Sequence, residues 1–228
     1  MSLKSRVIAA LDTVYDPELD EPITTLGFVG SCVVTDDNDV SVRLRLPTPQ
    51  CAPNFAFLMA ADARAAVRAL PAVKDVTIEL EDHYTGAEIN AAVARGDGFD
   101  GAFPGETEGP DLEGLRQLFQ RKALLAHQAR LCQALLAGGA SPEAVVALRV
   151  ADLPDSADAE RSVALRAALG LPCDADAPAL VAGDGAPLAA GDLQMWLRRA
   201  RLVSLSLETN GGMCRDLLRT RYGEVVAA

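Results

Sequence analysis

Leu3, Val7, Ile8, Leu11 and Val14 recur at three- and four-residue spacing, so residues 3–14 are predicted to form an amphipathic helix. It should stop at Tyr15-Asp16-Pro17-Glu18, because a residue preceding proline avoids the helical region, and Pro22 extends the loop. Leu26-Gly27-Phe28-Val29 leads into a strand through Val34, and Thr35-Asp36-Asp37-Asn38-Asp39 is a polar turn. The following strand, residues 40–46, alternates Val40, Val42, Leu44 and Leu46 with Ser41, Arg43 and Arg45, which predicts one buried and one wet face. Phe55, Leu58, Met59, Ala66, Val67 and Leu70 mark a helix over 53–70 that Pro71 ends. Val76, Ile78 and Leu80 then alternate in a third strand over 73–81. Strand, helix and strand in this order form a βαβ unit with a right-handed crossover.

The remaining pattern is mostly helical. Residues 87–95 read as a short helix, and the glycine density of 96–110 reads as a linker or an ordered, close-packed loop that Phe99 and Phe103 could anchor. Asp111 opens a long helix whose apolar stripe includes Leu115, Leu118, Leu125, Ala129, Cys132 and Leu136, with His127 on the opposite, solvated face. Ser141-Pro142-Glu143 is a helix start, and 156–169 is a further helix closed by Gly170 and Pro172. Gly183-Asp184-Gly185 suggests a hairpin joining 179–182 to 186–189. Val203, Leu205 and Leu207 alternate as a strand, and Asn210 would cap a last helix carrying Cys214. The expected class is α+β. A small sheet of about three strands, with its βαβ unit and flanking helices (residues 1–95), is followed by a glycine-rich linker (96–110). A mostly helical accessory domain with a small β element (111–228) completes the chain.

The chemistry concentrates in Leu46-Pro47-Thr48-Pro49-Gln50-Cys51-Ala52-Pro53-Asn54-Phe55. Prolines 47, 49 and 53 stiffen the connection, and Pro53 suits a first helical turn. Cys51 therefore stands at or just before a helix N-terminus, where a thiolate is favoured. If the strands at 40–46 and 73–81 are parallel, their C-terminal ends share the sheet edge where ligands of open α/β sheets bind. Cys51 follows one strand there and Glu81-Asp82-His83-Tyr84 the other, so the two side chains come within reach. One function class this permits is cysteine-dependent hydrolysis or group transfer, with Cys51 as nucleophile, His83 as base and Asp82 or Asp16 orienting it. A packing cysteine and a surface histidine, leaving a non-catalytic scaffold, are the plainer alternatives.

Composition and charge narrow the classes. Half of the 228 residues are hydrophobic and 23% are charged, an ordinary folded composition. No apolar run reaches the roughly 20 residues of a membrane span, and residues 1–20 do not read as a signal peptide. The net charge of −11 argues against nucleic acid. Residues 1–110 hold most of it, with 8 Lys and Arg against 18 Asp and Glu. Arg198, Arg199, Arg201, Arg215, Arg219 and Arg221 cluster late in the chain, as a docking patch or, more simply, a solvated surface. Five cysteines (32, 51, 132, 173 and 214) are widely spaced, without Cys-x-x-Cys, which excludes a disulfide framework and fits a reducing cytoplasm. Cys132, Cys173 and Cys214 read as structural. Neither histidine has the Glu-x-x-His context of a diiron carboxylate site, and no phosphate-binding loop is present.

Asp16-Pro17-Glu18-Leu19, Leu26-Gly27-Phe28-Val29 and Leu46-Pro47-Thr48-Pro49-Gln50-Cys51, in this order and spacing, resemble the small α+β domain of iron–sulfur assembly accessory proteins. That group includes the SufT and PaaD types and the targeting subunit of the cytosolic iron–sulfur machinery. The chain departs from the pattern at Pro47-Thr48, where Thr-Thr is usual, and at the inserted Ala52. The resemblance implies an accessory maturation factor that is not itself an enzyme. Cys51 would be its reactive residue, Thr48, Asp16 and Glu18 its companions, and iron or an iron–sulfur cluster a transient cargo. His83 is a candidate second metal ligand. The implied partner is a client metalloenzyme. The segment from Cys51 to Met59 is similar to longer variants that accompany bacterial multicomponent diiron monooxygenases, which points to a hydroxylase subunit. A single thiolate suits a labile ligand sphere, completed by the client or by a second copy of the chain in a homodimer.

Overall fold

A computed structural model describes residues 1–106 and 112–223. The chain forms two compact units, residues 1–113 with 209–228, and residues 114–208. The sequence reading placed 209–223 with the second domain.

In the N-terminal unit, helix α1 (Leu3–Leu11) begins at Ser2, whose hydroxyl accepts the Ser5 N–H at 3.1 Å. Two short strands, β1 (Tyr15–Asp16) and β2 (Glu21–Pro22), pair antiparallel across the Asp16 turn. The alternation of long strands gave no sign of this ladder, which holds only two residues a side. The main sheet has the order β3 (Val29–Val34), β4 (Val40–Arg45), β5 (Val76–Glu81), antiparallel then parallel, as the βαβ reading requires. Val40, Val42 and Leu44 lie in register with Val76, Ile78 and Leu80, and all six are buried. On the opposite face Arg43 pairs with Glu79 and Glu81 at 3.4 and 3.2 Å. Helix α2 (Pro53–Arg68) supplies Ala56, Met59, Ala63 and Val67 to the core, and α3 (Gly86–Arg95) supplies Ile89, Ala92 and Val93. Asn90 caps the outer edge of β5, its side-chain oxygen accepting the Leu80 N–H at 2.8 Å.

Within the glycine-rich stretch, residues 96–106 are folded against the sheet unit. Phe99 opens a one-turn helix, α4 (Phe99–Ala102), is 6% exposed, and meets Phe57 edge-on with ring centroids 5.5 Å apart. Burying a ring outweighs the loop-like composition. Residues 107–110 of the predicted linker and Asp111 lie outside the described residues.

The second unit is built by α5 (Glu113–Ala137), α6 (Pro142–Ala147), α7 (Ala157–Ala168) and the first half of α8 (Leu193–Tyr222). Ser141 and Ser156 cap α6 and α7 as their sequence context predicts. Cys132 packs with Val145, Leu180 and Leu193, a structural cysteine whose thiol burial pushes up to about 11. Three expectations are corrected. His127 is not solvated: its side chain is 15% exposed and its Nδ1 lies 2.6 Å from Asp158, which also accepts Arg130 Nε at 2.8 Å. The hairpin shrinks to a single bridge, Val181 with Pro187, closed by an Ala182 N–H bond to Ala186 O at 2.8 Å. Residues 203–207 are helical, and Asn210 is interior to α8 rather than its cap. Ala200, Val203 and Leu207 share the inward side of that helix, whereas Leu202 and Leu205 are exposed. Of the three alternating residues only Val203 and Leu207 keep the 3.6 period from Ala200, Leu205 turns outward, and the 30-residue helix overrides the apparent period of two.

Candidate functional site

Because β4 and β5 are parallel and paired up to Arg45↔Glu81, the loops leaving them emerge side by side. Loop 46–52 runs to α2 and loop 82–85 to α3. Two bonds tie them: Tyr84 N–H donates to Pro49 O at 3.0 Å, and His83 Nε2 donates to the Cys51 carbonyl at 2.8 Å. A carbonyl only accepts, so Nε2 carries the proton. Nδ1 then offers its lone pair to the Thr85 N–H, 3.3 Å away. His83 thus braces the backbone of Cys51. Both its nitrogens are engaged by the chain, and its hydrogen bond to Cys51 goes to the carbonyl, not the sulfur. Asp82 turns the chain through a left-handed conformation (φ 49°), which aspartate tolerates better than most residues.

Cys51 is half-buried and free. Its Sγ lies 3.6 Å from Thr48 Oγ1, whose oxygen also accepts the Gln50 N–H at 3.2 Å. With that lone pair taken, the Thr48 hydroxyl proton is free to point at sulfur. Cys51 is two residues ahead of the first helical residue, Pro53, and no side chain caps α2. Beside the paired loops lies a shallow cleft of about 570 Å³, bordered by Pro49, Asp82, His83, Tyr84 and Arg221.

Asp16 is 7% exposed and organises its own turn, Oδ1 accepting the N–H groups of Glu18 and Leu19 at 2.8 and 3.0 Å. Burial nevertheless pushes its carboxyl up to about 6. Glu18 accepts a bond from Asn210 at 3.4 Å. Cys214 is the functional neighbour that sequence reasoning missed. It sits one turn beyond Asn210, which bonds Glu18, and next to Arg215, which bonds Glu21; burial first, then the charges of Asp16, Cys51 and Glu18, push its thiol up to about 11. Only the helical pairing of 210–221 with loops almost 200 residues earlier brings it there; no motif spacing encodes it. Arg215 and Arg221, read as solvated, are engaged as well. Arg215 Nη1 contacts both oxygens of Glu21 at 2.8 and 2.6 Å, and Arg221 donates to Leu46 O at 3.1 Å and Asp82 O at 2.8 Å. Among the described residues, no three His, Cys, Asp or Glu side chains converge as a metal-binding group.

Residues 4–80, the segment that builds Asp16, Thr48 and Cys51 into one unit, match the family model described as iron–sulfur cluster assembly protein. A Fe-S protein maturation auxiliary factor of Porphyromonas gingivalis is 35% identical over 74 residues, covering 32% of this chain and 69% of that protein. An uncharacterized protein of Methanocaldococcus jannaschii is 34% identical over 90 residues, covering 40% of this chain and 93% of its relative. The chain belongs to the iron–sulfur cluster assembly protein family. Its family domain includes α1 to β5; the brace from His83, α8 and the second unit follow the matched segment. The matched names point to an auxiliary maturation role rather than a catalytic one. No helix among the described residues is long and apolar enough to cross a membrane.

Proposed function

We propose that this protein is an accessory maturation factor of the SufT/PaaD type, and that Cys51 is the thiol through which it serves a client metalloenzyme. The observation that carries this reading is the half-buried Cys51 sulfur, free and in hydrogen-bond contact with Thr48 at 3.6 Å, on a proline-braced loop inside the family segment. A cysteine sulfur in contact with one hydroxyl, and outside any metal-binding group among the described residues, suits transient capture of iron or an iron–sulfur fragment. The remaining coordination would come from the client or a second copy of the chain. Asp16 and Glu18 supply negative charge that favours a cation beside the thiol, and His83 acts as a positioning residue for the Cys51 backbone. The client we favour is the hydroxylase subunit of a bacterial multicomponent diiron monooxygenase, in a reducing cytoplasm where all five cysteines stay free.

Anaerobic purification from the native host, with iron and sulfide analysis and identification of co-purifying proteins, tests this. Bound iron with a sulfur-to-iron charge-transfer band that Cys51→Ser removes, together with a co-purifying hydroxylase subunit, is the expected result. A metal-free protein whose client acquires its iron equally well with Cys51→Ser would overturn it.

A further inference from the structure

The stretch Thr209–Tyr222, the part of α8 that belongs to the N-terminal unit, lies across the same loops that hold the candidate site. Asn210, Cys214 and Leu218 follow one another at four-residue steps, and Arg221 follows Leu218 at three, so one side of the helix carries all four. Asn210 reaches Glu18, Leu218 is buried at 1% exposure, and Arg221 bonds the carbonyls at the C-terminal ends of both parallel strands. Arg215 clasps Glu21, and Tyr222 sits against Arg45 and Arg221 with the guanidinium carbons 5.1 and 4.9 Å from its ring centre. Cys214 lies between Asn210 on Glu18 and the buried Leu218, next to Arg215 on Glu21.

We propose that residues 209–222 form a displaceable cover, clasped by Arg215 on Glu21 and Arg221 on the strand ends, that limits access to Cys51 until a client takes its place. This deepens the reading of Cys51 as the working thiol and depends on it for its purpose. Several contacts point to a cover that can lift rather than a permanent core element. The clasp is polar and partly solvated, with Arg215 and Glu21 side chains 38% and 31% exposed. Leu218 is the one apolar side chain of the stretch buried below a tenth. The helix is also weakened where the cover begins, by adjacent Gly211 and Gly212. Gly211 has a packing reason, since a Cβ there would stand 3.0 Å from the Glu21 carboxylate. Gly212 has none: a Cβ there meets nothing within 4 Å. Its effect is to make the helix easier to open.

Alkylation of Cys51 by iodoacetamide in the full-length protein, resolved by peptide mass spectrometry, reads the cover directly. R215E should raise the rate at least fivefold, the E21R/R215E swap should return it towards wild type, and G212A should lower it about twofold. R215Q serves as the milder variant if R215E does not fold, with far-ultraviolet circular dichroism as the check. Equal rates in the folded variants, a rise the swap does not reverse, or a faster G212A would overturn the cover. The rate is read on the thiol and needs no client, so it separates a failed cover from a failed maturation role.

Discussion

Asp16 is a carboxyl group kept from water, and its titration shows what that costs. Unfolded, it ionises near 3.8; in the fold burial raises this to about 6 despite two N–H donors. Between these values the folded state binds more protons than the unfolded chain, so the associated stability is full below the lower value and lost as pH rises through the upper one. A shift of that size corresponds to roughly 3 kcal/mol. Asp16→Asn keeps an oxygen for the Glu18 and Leu19 N–H groups while removing the charge. Denaturant unfolding at neutral pH should find it more stable than wild type by about 1–3 kcal/mol, with the gap closing toward pH ~4. A less stable variant at neutral pH would mean that partners, not burial, govern the group. A residue that destabilises its own fold at working pH is a mark of functional placement. Cys51→Ser, by contrast, should change stability by less than about 1 kcal/mol, because the residue is only half-buried; a thermal shift well beyond that would make it a packing residue.

Among the elements, the helices and the three long strands of residues 3–95 were legible; the two-residue strands β1 and β2 were not, because a period needs more than two residues to show. Val40, Val42 and Leu44 cannot be read at 3.6, and Pro53 and Pro71 bracket the helix between the strands. Residues 203–207 failed because Leu205, exposed on the outer side of a helix, completes a two-residue alternation with the inward Val203 and Leu207. The stretch 96–105 was legible only as alternatives: glycine density leaves linker and close-packed loop both open, and the buried Phe99 ring decides for the packed one. Phe99→Ala should therefore lower stability by about 3 kcal/mol, as for other core aromatic truncations, in thermal or denaturant unfolding. A change below about 0.5 kcal/mol would restore the linker reading. The Cys51 loop and its His83 neighbour followed from the parallel pairing of β4 and β5, which topology predicts. Cys214, Arg215 and Arg221 did not, because tertiary docking of a helix leaves no local signature.

Taken whole, the molecule concentrates its acidity in residues 1–110, with 18 acidic against 8 basic side chains, around the family domain. A client recognised there should present a basic surface. Its association rate should fall about tenfold between ~50 and ~500 mM salt, measured by stopped-flow or surface plasmon resonance, and a salt-independent rate would place recognition elsewhere. The central claim is narrower: one sulfur, at position 51, is what the client needs. It is tested most directly by the iron content of a client metalloenzyme produced with wild-type protein, with Cys51→Ser and without the protein. The account predicts that Cys51→Ser still binds the client but leaves its iron at the level found without the protein. Full iron loading with Cys51→Ser would contradict it.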